Sequence, residues 1–197
     1  SSPESTGKLF YALIRDATGT NTITVTVRDD GGTANGGIDT FTRSFNVVVS
    51  PVDDFPTLAE IKNVEVLEDS GDRTIVLTGI TTGATNERQT NSISAISLNS
   101  PVVPNPRVSY VPPATSGTLT FRPNSGASGV ATIRVTVSDG QKPTNHFFTV
   151  TVIPVNDPPT VARVADITIL EDAGLQRTNV LGITAGPANE SDQNVTV

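Results

Sequence analysis

The stretch Pro154-Val155-Asn156-Asp157-Pro158-Pro159-Thr160 recurs, slightly altered, as Pro51-Val52-Asp53-Asp54-Phe55-Pro56-Thr57, at an offset of 103 residues. The match continues downstream: Leu67-Glu68-Asp69 returns as Leu170-Glu171-Asp172, Gly79-Ile80 as Gly182-Ile183, and Asn86-Glu87 as Asn189-Glu190. A period of this length constrains the fold more than any other feature, because it makes the chain a string of copies. It divides the 197 residues into the C-terminal half of a first copy (1–53), a complete second copy with its linkers (54–156) and the N-terminal half of a third (157–197). A copy of about 100 residues is of common domain size and can bury its own core.

Alternation of apolar and polar residues predicts seven strands in the second copy, at 64–67, 74–80, 92–98, 107–111, 117–121, 131–137 and 147–153, with Pro and Gly between them. In the sixth, Ile133, Val135 and Val137 face inward. The first copy offers Lys8 to Tyr11, then Thr22 to Arg28 and Phe45 to Val49, which read as a hairpin; a second offset, 110, aligns Leu9 with Leu119. The third copy offers counterparts of the first two strands and the start of the next. The expected fold class is all-β: a tandem antiparallel β-sandwich of the immunoglobulin or cadherin kind, about seven strands per full copy, with a closed barrel as the alternative. The Cys and Trp marks of true immunoglobulin domains are absent, since the chain has neither residue.

Composition removes several function classes. The net charge is −7 and the 13 basic residues are scattered, so no nucleic-acid footprint exists. Without Cys there are no disulfides or thiolate metal sites. No apolar run approaches the roughly 18 residues of a membrane span, so no membrane insertion is expected, and the chain reads as an interior excerpt of a longer one. His146, the single histidine, lies beside Asn145 at a loop end and reads as a solvated surface residue. With no histidine cluster and no acid pair in an evident cleft, an enzyme is not expected. Lys62 and Lys142 are available for an isopeptide bond, but nothing in the sequence marks them.

The order Leu-Glu-Asp, Gly-Ile, Asn-Glu, Gly-Thr-Leu-Thr-Phe, Val-Ser-Asp-Gly and Pro-Val-Asn-Asp-Pro-Pro, running through 67–159, resembles cadherin-like tandem repeats of large bacterial surface adhesins. The resemblance covers nearly the whole chain. Asn156-Asp157-Pro158-Pro159 is similar to the linker of cadherins, where an Asn-Asp pair before Pro helps bind calcium between domains. Where cadherins carry Asp-Arg-Glu, this chain has Pro123-Asn124-Ser125-Gly126-Ala127-Ser128-Gly129. The resemblance implies an extracellular stalk at the cell surface.

The placement of acids points to the same chemistry. In a sandwich traced up and down, successive loops alternate between its ends. The turn with Glu68, Asp69 and Asp72 then lies near Asn156 and Asp157, where the third copy brings Asn189, Glu190 and Asp192. Asn86, Glu87 and Asp139 lie beside Asp53 and Asp54 at the other end. Calcium takes six to eight hard oxygens from carboxylates, amides and carbonyls, the donor types gathered here. The expected ligands are Asp53, Asp54, Glu68, Asp69, Asn86, Glu87, Asp139, Asn156, Asp157, Asn189 and Glu190; the number of ions per joint is left open. A plain turn, with side-chain oxygens on backbone N–H groups and prolines stiffening the linker, is the competing reading of Asn156-Asp157-Pro158.

The expected function is a structural spacer in an extracellular bacterial adhesin or surface fibre, rigidified by calcium, with neighbouring repeats as partners. Homophilic or head-to-tail self-association through the half copies is a variant, although the halves together lack counterparts of 95–111. The alternative is an accessory carbohydrate- or protein-binding module of a secreted enzyme. That alternative needs exposed aromatics, for which Tyr11 and Tyr110 are candidates, since the Phe residues mostly fall on inward positions of their strands.

Overall fold

The structure, a computed structural model, describes residues 6–197, so the first five residues of the incomplete first copy lie outside the described part. The first copy contributes β1 (Gly19–Arg28) and β2 (Thr40–Val49), an antiparallel pair in which Ile23 faces Phe45 and Val27 faces Phe41. On the opposite face the threonines form a ladder of side-chain bonds, Thr22 to Asn46 and Thr24 to Ser44, both at 2.9 Å. Period-two alternation thus sorts one face for packing and the other for water.

The second copy forms two sheets. One has the order β3 (Val64–Leu67), β9 (Pro143–Ile153), β8 (Gly129–Ser138), β5 (Ser92–Ser97). The other has the order β4 (Arg73–Thr78), β7 (Ser116–Phe121), β6 (Arg107–Ser109). Their inner faces meet in one core: Ala131, Ile133, Val135 and Val137 from β8, Phe148, Val150 and Val152 from β9, Leu119 and Phe121 from β7, and Leu77 from β4, closed by Ile80 and Val103. Burying each such Val, Ile, Leu or Phe side chain contributes roughly 1.5–3 kcal/mol. The chain is an all-β sandwich, and among the described residues no helix is long and apolar enough to cross a membrane.

The structure departs from the sequence expectation in several places. β3 and β9 pair in parallel, Val64 opposite Val150 and Val66 opposite Val152, within a sandwich whose other strand pairs are antiparallel. In a seven-strand up-and-down path the first and last strands run the same way, so they are parallel where they meet, and the copy enters at one end and leaves at the other. β4 stops at Thr78 rather than Ile80 because Gly79 has φ +68 and a Cβ there would lie 3.1 Å from Ala59 Cβ. The same turn recurs at Gly182, with φ +66 and 2.9 Å to Ala162 Cβ, which gives the repeated Gly-Ile a backbone cause.

The third copy shows no strand among the described residues, only an isolated Thr160–Thr184 bridge that duplicates Thr57–Thr81. Its predicted strands have the counterparts β3 and β4, whose partners are β9 and β7, and this chain holds no third-copy equivalents of those partners. Likewise 8–11 does not form a strand, because the counterpart of its β4 partner is absent. β1 and β2 form because each supplies the other's ladder.

Two side-chain expectations are corrected. His146 is in β9 rather than at a loop end, opposite Val135, half-buried, with Nε2 sealed from water and unpartnered. Period two puts it in step with Phe148, Val150 and Val152. Only Phe121 and Phe148 of the phenylalanines lie in the core; Phe10, Phe41, Phe45, Phe55 and Phe147 are exposed. For Phe41 and Phe45 the cause is the missing second sheet of the first copy.

Candidate metal site at the joints between copies

The joint at 154–159 is built from three segments. Glu68, at the end of β3, is buried, 4% exposed, and bonds in two directions. Its Oε1 accepts the Val155 N–H of the linker, and its Oε2 accepts Asn189 Nδ2 at 2.8 Å from the third copy. Asp69 follows with φ +57, a left-handed turn conformation that Asp tolerates. Its Oδ1 accepts Ser125 Oγ at 2.8 Å and the Gly126 N–H at 3.1 Å, tying this turn to the one before β8.

From the third copy, a single 3-10 turn (Ala188–Glu190) presents Glu190, also 4% exposed. Its Oε1 accepts the Asp157 N–H at 2.9 Å and Gln193 Nε2 at 3.2 Å. The remaining oxygens, Asp157 Oδ2, Asn189 Oδ1 and Glu190 Oε2, are sealed from water without a hydrogen-bond partner. Such atoms are costly unless something pairs with them. The Asp157 carboxyl is pushed above its ordinary 3.8, by loss of water first and then by the negative charges of Asp69, Glu190 and Glu68. Gly126 lies against the third copy: a Cβ there would stand 2.7 Å from Pro187 Cβ.

The joint at 51–56 repeats the lower half of this arrangement. Glu87 Oε1 accepts the Asp54 N–H at 3.0 Å, as Glu190 does for Asp157. Asp53 Oδ1 accepts Gln89 Nε2 at 2.7 Å. Asp139 is 5% exposed; its Oδ1 accepts the N–H groups of Gln141 and Lys142 at 2.8 and 2.7 Å, the turn chemistry its Asp-Gly sequence allows. Asn86 Oδ1 and Asp139 Oδ2 are sealed and unpartnered, and Asp53 Oδ2, sealed without a hydrogen bond, lies 3.7 Å from Lys142 Nζ.

The residues singled out by sequence therefore sort into two groups: Glu68, Asp69, Asp157, Asn189 and Glu190 at one joint, and Asp53, Asp54, Asn86, Glu87 and Asp139 at the other. Asn156 stands apart, exposed, donating Nδ2 to the Asp157 carbonyl at 3.3 Å, whereas the turn reading placed its side-chain oxygen on a backbone N–H. Asp72 and Asp192 are exposed. Among the described residues no three His, Cys, Asp or Glu side chains are drawn together as a metal would hold them. The unpartnered oxygens come from carboxylates and an amide, and hard oxygen donors of this mixture fit calcium. Sequence reading missed Ser125, Gly126, Gln193, Gln89 and the packing role of Pro187. One signal was available: Asp53 and Gln89 become Asn156 and Asp192 at the 103 offset, an acid and an amide exchanging positions.

No family model matches the chain, and no curated protein matches it. Among solved structures it is similar to surface-layer protein SbsC, domains 1–6, at 20% identity over 74% of this chain and 18% of that one, with TM-score 0.39. It is also similar to titin domains Z1Z2 in complex with telethonin, at 19% identity over 57% of this chain and 54% of that one, with TM-score 0.36. A third is an endo-fucoidan hydrolase of glycoside hydrolase family 107, at 17% identity over 71% of this chain and 19% of that one, with TM-score 0.36. The chain spans under a fifth of the surface-layer protein and of the hydrolase. Likenesses at these identities and TM-scores leave function to be argued from the residues.

Proposed function

We propose that this chain is a spacer segment of an extracellular surface fibre or adhesin, in which sandwich copies are joined end to end and calcium stiffens the joints. The observation that carries the reading is the convergence of two copies on one linker. Glu68 of the second copy and Asn189 of the third, 121 residues apart, are bonded to each other, and beside them Asp157 Oδ2, Asn189 Oδ1 and Glu190 Oε2 have no partner. A divalent cation held by Glu68, Asp69, Asp157, Asn189 and Glu190 would pair those oxygens and cancel the repulsion that raises the Asp157 carboxyl. The acids engage linker N–H groups rather than lining a cleft, which favours a mechanical role over catalysis. Neighbouring repeats are the partners, and each copy exits opposite its entry, as a rod requires.

The test is calcium titration of the chain by calorimetry, with small-angle scattering in calcium and then in excess chelator. Sites of extracellular strength, with Kd of about 10⁻⁴ to 10⁻³ M, are expected, together with a longer and stiffer particle when loaded. Absence of binding heat and identical scattering in both states would refute the reading.

A further inference from the structure

Lys142 stands at the 51–56 joint as a cation already attached to the chain. Its Nζ donates to the Asp53 carbonyl, lies 3.7 Å from Asp53 Oδ2 and sits 4.8 Å over the centre of the Phe55 ring. Carboxylate, carbonyl and aromatic face are the three groups that hold an ammonium best. All three come from two linker residues, so the ammonium fastens the linker to the β8–β9 loop. That loop also carries Asp139, buried, with Oδ2 unpartnered.

The linker half of the arrangement is not repeated at the 154–159 joint. At the 103 offset the linker residues become Asn156 and Pro158, removing both the carboxylate and the ring. At the 110 offset Lys142 becomes Gly32 in the first copy. In this chain Asp157, at the other joint, faces the negative charges of Asp69, Glu190 and Glu68.

We infer that Lys142 regulates cation binding at the 51–56 joint: its ammonium occupies the oxygens of Asp53 and repels a divalent ion from that end of the second copy. This rests on the calcium reading above and deepens it. An ammonium and a divalent ion roughly 5 Å apart in water repel enough to weaken binding about tenfold. The two joints then load at different calcium concentrations: 154–159 takes calcium freely, while 51–56 is partly held shut by its own lysine.

The experiment is a calcium titration of the full 197-residue chain followed by backbone NMR, reading Asp54 and Asn86 for one joint and Asp157 and Asn189 for the other. Lys142→Gln is expected to lower the calcium midpoint at Asp54 and Asn86 about tenfold and to leave that at Asp157 and Asn189 unchanged. Lys142→Arg, which keeps the charge, is expected to behave as the native chain. If Lys142→Gln and the native chain share a midpoint at Asp54 and Asn86 while Asp157 and Asn189 respond, the inference is overturned and the calcium reading stands. If calcium moves neither set in any variant, both fall. If Lys142→Arg shifts the midpoint as far as Lys142→Gln, charge is not the cause and the inference is likewise overturned.

Discussion

Replacing Glu190 by Ala tests the clamp between loop and linker. The side chain is almost fully buried and accepts two hydrogen bonds, from the Asp157 N–H at 2.9 Å and from Gln193 Nε2 at 3.2 Å. Hydrogen bonds to a charged acceptor contribute about 1.5–3 kcal/mol each, and a donor left unpaired costs about 1–3 kcal/mol. Gln193 can turn to water, so the loss is concentrated on the Asp157 amide, at about 2 kcal/mol. Hydrogen exchange of that amide should quicken roughly thirtyfold in chelator. Glu190→Gln keeps an oxygen acceptor and should quicken it only a few-fold. The Thr160 N–H, bonded to the Thr184 carbonyl at 3.0 Å, is the internal control and should change little. Glu87→Ala should act on the Asp54 amide in the same way, because that bond is the same one at 3.0 Å. If the Asp157 amide exchanges at the native rate in Glu190→Ala, or if Thr160 quickens equally, the clamp does not exist as described.

Two further outcomes follow from the same joint. Gly126→Ala forces Ala into φ +61, which costs about 1–2 kcal/mol, and sets its Cβ 2.7 Å from Pro187. The second copy should melt about 4–16 °C lower by calorimetry, and the 154–159 joint should lose scattering rigidity; an unchanged Tm with unchanged scattering would show that the two copies do not touch there. The Asp157 carboxyl titrates above its ordinary 3.8 in the folded joint, so its ionised form opposes joint closure at neutral pH. That opposition is lost as pH falls through the raised value. In chelator the joint should therefore stiffen on mild acidification, whereas in saturating calcium acidification should loosen it by releasing the ion. A joint that loosens with falling pH in both conditions would contradict the assignment of Asp157.

Much of the second copy was legible as sequence. Ile133, Val135 and Val137 alternate with polar residues, and a pleated strand has no other way to bury them together. The grouping of acids followed from loops alternating between the ends of a sandwich, which places Glu68 with Asn189 and Glu87 with Asp54. Phe45 was misread because local spacing says which face a residue shares, but burial depends on what is packed over that face; His146 was misplaced because the last strand begins at Pro143, ahead of its apolar alternation.

What the sequence alone determined is the period, the strands and the residue types available at each joint, since alternation, Gly-Ile turns and repeated acids are local facts. What tertiary structure decided is which of those strands exist and which acids meet. A β-strand requires a partner to satisfy its N–H and C=O groups, so the third copy's alternating segments remain unpaired while the same pattern forms β3 and β4 beside β9 and β7. Glu68 and Asn189 meet only because one folded copy delivers its turn to the linker of the next. Lys142, unremarkable in the sequence, became informative once Asp53 and Phe55 were seen around its ammonium.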